Sequence, residues 1–275
     1  MSAEKRGLPM VMCFGLCCSM SRRGFLAVAA SAGLAGCTTV GRSFEPNDSD
    51  LNRMGLQAWS ELKAKEKVSG SAKGRDQVAR VSRRVVDASG LGRAYNWEFA
   101  LFDDPQINAF ALPGGKVGVY QGLLNIIGSD DQLAAVIGHE VTHVQRRHAA
   151  QRIGTQKAGQ LGVQLAQVGL GLGGVQGADQ IAGLIGAGVS YGVILPFSRD
   201  QEYEADAGGL TTMAKAGYDP HAAVSLWQRM AAQKGANGKP LEFASTHPSD
   251  ANRIQRLQQQ IPAAMPLYEA AKARA

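Results

Sequence analysis

The segment His139-Glu140-Val141-Thr142-His143 lies directly after the apolar run Gln132-Leu133-Ala134-Ala135-Val136-Ile137-Gly138. A helix of this kind is built for burial, so its polar side chains need partners. Two histidines four residues apart share one helix face and can reach a single metal ion. Glu140 follows the first histidine and projects beside that metal. The run Ser198-Arg199-Asp200-Gln201 opens a second helix that carries Glu202, 59 residues after His143, and Asp206, again four apart. One of these carboxylates can complete a two-histidine, one-carboxylate ligand set, while the other orients a ligand histidine through its distal N–H. Such a set leaves one metal position for water. The expectation is one Zn²⁺ per chain, with Glu140 as the base that activates a zinc-bound water. The plainer alternative is a solvated helix face that carries two histidines and no metal.

Four stretches then occur in order: Asn108-Ala109-Phe110-Ala111-Leu112-Pro113-Gly114-Gly115, the motif at His139 to His143, Ser198-Arg199 with Glu202-Tyr203-Glu204-Ala205-Asp206, and His247-Pro248 with Arg253-Ile254. Over about residues 75–260 this pattern resembles the HtpX/Oma/Ste-type zinc metallopeptidases. It is most similar to their short periplasmic lipoprotein members, those related to the beta-barrel assembly-enhancing protease but without its tetratricopeptide repeats. The resemblance implies His139, His143 and Glu202 as zinc ligands, Glu140 as the catalytic base and Asp206 as the carboxylate that steadies a ligand histidine. It also implies an α+β fold: a mostly helical zincin-like domain with a small antiparallel sheet whose edge strand flanks the zinc cleft.

The first residues read as a leader. Ser21-Arg22-Arg23-Gly24-Phe25-Leu26 is a twin-arginine pattern, and Leu34-Ala35-Gly36-Cys37 reads as a lipobox, with Cys37 the acylated residue. Met20 is an alternative start, because residues 20–37 already form a complete signal. The expected organisation is a signal peptide at 1–36, a lipidated polar tether at 37–50, a peptidase domain at 51–262 and a tail at 263–275. Cys13, Cys17 and Cys18 precede the expected cleavage point and Cys37 carries lipid, so the mature domain has no thiol for a disulfide or a thiolate zinc site. The leader holds Lys5, Arg6, Arg22 and Arg23 against Glu4, so the +6 of the full chain becomes +3. That excess is too small to suggest nucleic acid, and no basic run is interleaved with aromatics, so no nucleic-acid partner is expected. Thr38, after Cys37, is not the aspartate of inner-membrane retention, which points the periplasmic anchor to the outer membrane. No sequence feature specifies an oligomeric state.

Helical patterns are expected near 51–68 and 76–88, where Val78, Val81 and Val85 share a face, and over 130–147 with Ser129 or Asp130 as cap. Strands are expected at 97–102, 110–112 and 116–120, the last two joined at Pro113-Gly114-Gly115. A protease of broad specificity grips the peptide backbone, and adding the substrate to a sheet edge achieves this. Gly114, Gly115, Lys116 and Val117 are the expected substrate edge, with Gly118 also leaving room for a second backbone. A glycine turn is the plainer reading.

Residues 158–198 hold a single charge, Asp179, and 11 of the 34 glycines. A transmembrane hairpin is one reading, but Gln160, Gln164, Gln167 and Gln176 recur along it. A helical lid or membrane-facing flap is preferred. Gly171 to Gly174 lacks the Lys-Ser/Thr pair of a phosphate loop. His148 and His221 lack paired ligand spacing and read as packing or surface residues. His247 lies in Ser245-Thr246-His247-Pro248 and has two active readings, an oxyanion stabiliser or a fourth zinc ligand that shuts the enzyme off, beside a plain capping loop. The function expected is hydrolysis of peptide bonds in unfolded or misassembled envelope proteins. The alternatives are a zinc-stabilised chaperone or assembly factor, and a purely structural zinc domain.

Overall fold

The structure, a computed structural model, describes residues 41–169, 196–233, 241–247 and 251–274. Two helices come first. Helix α1 spans Asp48–Lys65, and the side chain of Asn47 caps it by accepting from the Asp50 amide. Helix α2 spans Ala72–Ala88, with Ser71 as its cap and Val78, Val81 and Val85 buried along one face. Burying each of those valines contributes about 1.5–3 kcal/mol.

Three strands follow: β1 at Glu98–Phe102, β2 at Ala109–Leu112 and β3 at Lys116–Tyr120. Their order is β1-β3-β2; β1 runs parallel to β3, with Glu98 opposite Lys116, and β2 runs antiparallel to it, with Ala111 opposite Val117. The sheet is therefore mixed, which corrects the expectation of an antiparallel one. Side chains alternate across it. Leu101, Ala109, Val117 and Val119 enter the main core, while Phe102, Phe110, Leu112 and Tyr120 pack with Trp59 and Leu62 of α1.

The topology also corrects the expected substrate strand. Lys116 and Val117 lie on the central strand, paired on both sides, so no further strand can add there. Gly114 and Gly115 have φ of +81° and +79° and make the tight β2–β3 turn. At Gly118, the atom that a side chain would add meets the Phe110 ring at 2.3 Å, so this glycine gives space to the aromatic cluster and not to a substrate. Lys116 is buried, and its Nζ donates to Glu98 Oε1 at 2.8 Å; Trp59 and Lys63 hold the other oxygen of the same carboxylate. Lys116 first, then Trp59 and Lys63, hold the Glu98 carboxyl down at about 2.

After the short helix α3 (Gln121–Ile126), helix α4 spans Asp130–Gln145 with Ser129 as its cap; every residue from Gln132 to His143 is buried. Helix α5 (His148–Gly169) turns back from its end. Helix α6 (Arg199–Lys215) starts with a capping box between Ser198 and Gln201. Helix α7 (His221–Ala232), the single turn of α8 (Glu242–Thr246) and α9 (Ala251–Lys272) complete the fold.

Helices α4 and α6 cross at glycine. A side chain on Gly138 would meet the Gly209 carbonyl oxygen at 2.8 Å, and one on Gly209 would meet the His139 amide nitrogen at 2.7 Å. Glu202, Asp206 and Gly209 recur along one face of α6, so this contact delivers both carboxylates to the motif helix.

Two expected boundaries differ from what is seen. Helix α9 continues past residue 262, and Ala264 and Ala271 are buried, so much of the expected tail belongs to the folded body. The end of the expected tether is packed as well: Gly41 is buried, and the Pro46 carbonyl accepts from Arg147 at 3.0 Å. Most of the glycine-rich segment read as a lid or span lies outside the described residues, as do the leader and Cys37. No helix among the described residues is long and apolar enough to cross a membrane.

Candidate metal centre

Helix α4 supplies His139, Glu140 and His143, α6 supplies Glu202 and Asp206, and His247 comes from the residue that ends α8. All six are buried. His139 Nε2 lies 3.0 Å from His143 Nε2 and 3.2 Å from His247 Nδ1. Glu202 Oε1 lies 3.0 Å from His247 Nδ1 and 3.5 Å from His143 Nε2, and Oε2 lies 3.4 Å from His139 Nε2. One ligand atom from each of these four residues falls within 4.8 Å of every other. The sequence thus named every member of the cluster, and the fold brings all of them together.

Do these atoms fit zinc? Four ligands about 2.0–2.1 Å from a tetrahedral ion stand about 3.3 Å from one another, close to the 3.0–3.5 Å that separates His139 from His143 and His247 and Glu202 from all three histidines. Nitrogen lone pairs facing each other at 3.0 Å repel unless a cation or a shared proton lies between them. Glu202 Oε2 and Glu140 Oε1 are buried and have no hydrogen-bond partner among the described residues. A cation answers both needs, and the nitrogen–oxygen donor set suits zinc. The residues fit the metal.

The electrostatics point the same way. Burial works against charge on His139, but the Asp206 and Glu202 carboxylates, which accept from its ring, outweigh it and lift the ring to about 9. The field that holds a proton there will hold a metal, which must displace that proton. Burial pushes the Glu202 carboxyl up, and His139 and His247 more than reverse this, leaving it well below the ordinary carboxylate range. Glu140 moves the opposite way: burial, reinforced by Glu202, raises it. His143 is lowered by burial and by the charge of its histidine neighbours.

Around the ligands stands a set of supports. Asp206 Oδ1 lies 3.0 Å from His139 Nδ1. Arg253, buried on α9, donates from Nε to Asp206 Oδ2 at 2.6 Å and from Nη2 to Oδ1 at 2.8 Å. Its Nη1 stands 2.9 Å from Glu202 Oε2, a charge contact without hydrogen-bond alignment, and its guanidinium lies 3.8 Å over Trp227. Phe197 stacks on His143 with ring centroids 3.8 Å apart, and Phe243 stacks on His247 at 4.4 Å.

Sequence reading missed the roles of Arg253, His148, Phe197 and Phe243. One signal did point to Arg253. Glu140, Glu202 and Asp206 are three carboxylates on buried helices, and a divalent ion leaves one negative charge uncompensated. A buried cation such as Arg253 answers that surplus. His148, read as packing or surface, has no exposure and lies 2.8 Å from His143 Nδ1. His221 is exposed beside Asp219, as read.

The model of peptidase family M48 matches residues 72–261, more than half of the chain. The chain belongs to peptidase family M48. Among its relatives, the mitochondrial metalloendopeptidase OMA1 of Schizosaccharomyces pombe is 43% identical over 187 residues, 68% of this chain and 53% of that protein. The mitochondrial metalloendopeptidase OMA1 of Homo sapiens is 35% identical over 190 residues, 66% of this chain and 36% of that one. The beta-barrel assembly-enhancing protease of Yersinia pestis is 32% identical over 180 residues, 63% of this chain and 36% of that one. The chain thus spans from about a third to about half of the relatives it matches. For an M48 chain the metal implied by the family is zinc, in agreement with the donor set.

Proposed function

We propose that this chain is a zinc-dependent endopeptidase that hydrolyses peptide bonds in unfolded or misassembled cell-envelope proteins. The observation that carries this reading is the placement of Glu140 between the ligand cluster and a sheet edge. Its Oε2 accepts from the Ala111 amide of β2 at 3.2 Å, and its Oε1 has no hydrogen bond.

His139, His143 and Glu202 would hold the ion. When bound, zinc supplies Lewis acidity, polarising a carbonyl and lowering the pKa of water toward about 7. The remaining work falls to the chain's own groups. Oε1 of Glu140 is the free oxygen, so it takes the proton of the attacking water and returns it to the leaving amine. Burial raises its pKa, which suits both halves of that transfer. Asp206 and Arg253 keep the His139 ring in place, because a ligand ring that can swing costs affinity.

Strand β2 is the sheet edge beside Glu140, so a substrate strand would pair along Ala109–Leu112 in place of the expected Gly114 to Val117. Backbone pairing reads little sequence, which suits a protease of unfolded chains. His247 sits among the ligands, with Nε2 3.4 Å from Glu140 Oε1. This supports its reading as a fourth ligand that shuts the centre, over the reading as oxyanion donor. Opening then requires the His247 ring to leave.

The setting we propose is periplasmic, with a signal at residues 1–36, lipid on Cys37 and the outer membrane as host. The lipobox sequence supports this, together with the relatives named as beta-barrel assembly-enhancing proteases. The test is cleavage of an unfolded outer-membrane protein by the purified chain. Cleavage that stops with a chelator and returns with zinc supports the proposal; cleavage that survives metal removal, or none with zinc restored, overturns it.

A further inference from the structure

We infer that His148 and Glu204 form a positioning pair for His143, the counterpart of Asp206 and Arg253 at His139. The inference rests on the zinc reading of the cluster above. Two of the ligands on α4 leave the helix with one nitrogen aimed at the metal position and the other aimed away. For His139 the outer nitrogen meets a carboxylate. For His143 it meets a second imidazole: His143 Nδ1 and His148 Nδ1 are 2.8 Å apart, and His148 Nε2 lies 3.3 Å from Glu204 Oε2.

The chain of contacts fixes which nitrogens carry hydrogen. An ionised carboxylate accepts only, so His148 Nε2 must donate to Glu204. A neutral imidazole with hydrogen on Nε2 presents a lone pair at Nδ1. His148 Nδ1 therefore accepts, and His143 Nδ1 must donate to it. The consequence is that His143 Nε2 keeps its lone pair and faces the ligand cluster.

The backbone is built to make this contact. Helix α4 ends at Gln145, and Arg147 takes the left-handed conformation, φ +56°, which costs an L-residue roughly 1–2 kcal/mol. Arg147 is held there by the Pro46 carbonyl and by an ion pair with Asp48. The reversal starts α5 at His148, directly against the histidine five residues earlier. Phe197 completes the pocket by stacking on His143 and standing 6.2 Å from the His148 ring. His148 has no exposure, whereas Glu204 is more than half exposed, so the relay runs from the metal site to the protein surface.

A positioning role differs from a packing role in what it changes. The test is zinc affinity, read by competition with a chromophoric chelator and requiring no proteolysis, on the wild-type chain, His148→Asn, His148→Phe and Glu204→Ala. Asparagine places an oxygen acceptor where Nδ1 stood; phenylalanine fills the space and accepts nothing. The expected result is a loss of about 10- to 100-fold in affinity for His148→Phe, a return to within about threefold for His148→Asn, and a loss of about threefold for Glu204→Ala. Glu204 is at the surface, so that variant reports even if His148→Phe fails to fold. Wild-type affinity in His148→Phe and Glu204→Ala overturns the inference, as does an equal loss in His148→Asn and His148→Phe. A wild-type chain that binds no zinc instead overturns the metallopeptidase reading itself.

Discussion

His139 Nδ1 and Asp206 Oδ1 stand 3.0 Å apart in a buried pair whose carboxylate is gripped on both oxygens by Arg253. This contact holds the buried His139 ring in one orientation, with Nε2 turned to the cluster that could hold a metal ion. Asp206→Asn keeps the size but loses the charge, and zinc affinity is expected to fall about 10- to 100-fold. Arg253→Leu leaves Asp206 and Glu202 without their cation, and should destabilise the metal-free fold by about 3–5 kcal/mol in urea denaturation.

The second prediction concerns His247. Its Nδ1 competes for the position that a substrate must reach, so His247→Ala should raise the initial rate of cleavage of an unfolded substrate about 10-fold, as removal of roughly 1.4 kcal/mol of competition would. A fall in rate with zinc binding unchanged would favour the oxyanion role instead.

The third prediction concerns the crossing of α4 and α6. Gly138→Ala places a methyl group 2.8 Å from the Gly209 carbonyl oxygen, with backbone on both sides and no flexible atom to give way. It should cost about 1–3 kcal/mol and weaken zinc binding together with stability, because the same movement carries Glu202 away from the histidines.

The fourth prediction concerns pH. Glu98 sits at about 2 in the fold against an ordinary value of 4.5, because Lys116, Trp59 and Lys63 bind its charged form. A depressed carboxylate contributes stability that is fully present above about pH 4.5 and is lost as pH falls toward about 2. The carboxylate is 41% exposed, so solvent screening reduces this to about 1 kcal/mol. Wild type should exceed Glu98→Gln by that amount at neutral pH, and the difference should vanish near pH 2.

Much of the centre was legible because its signals are local. The four-residue spacings of His139 with His143 and of Glu202 with Asp206, and the caps at Ser129 and Ser198, each follow from neighbours along one helix. What the sequence hid depends on partners far apart in the chain. Alternation along β3 says which face each residue takes but not which strands lie beside it, so Lys116 and Val117 looked like an edge and proved central. The parallel pairing of β1 with β3 was invisible for the same reason. His148 reads as a packing or surface residue because its spacing from His143 matches no ligand pattern; only the left-handed turn at Arg147 brings the rings together.

The central claim is that Glu140 acts on substrate beside a metal held by other residues. The most direct measurement is the zinc content and proteolytic rate of Glu140→Gln beside wild type. Both should hold about one zinc per chain, with cleavage by the variant reduced at least about 100-fold. A variant that keeps its zinc and cleaves at the wild-type rate would contradict it.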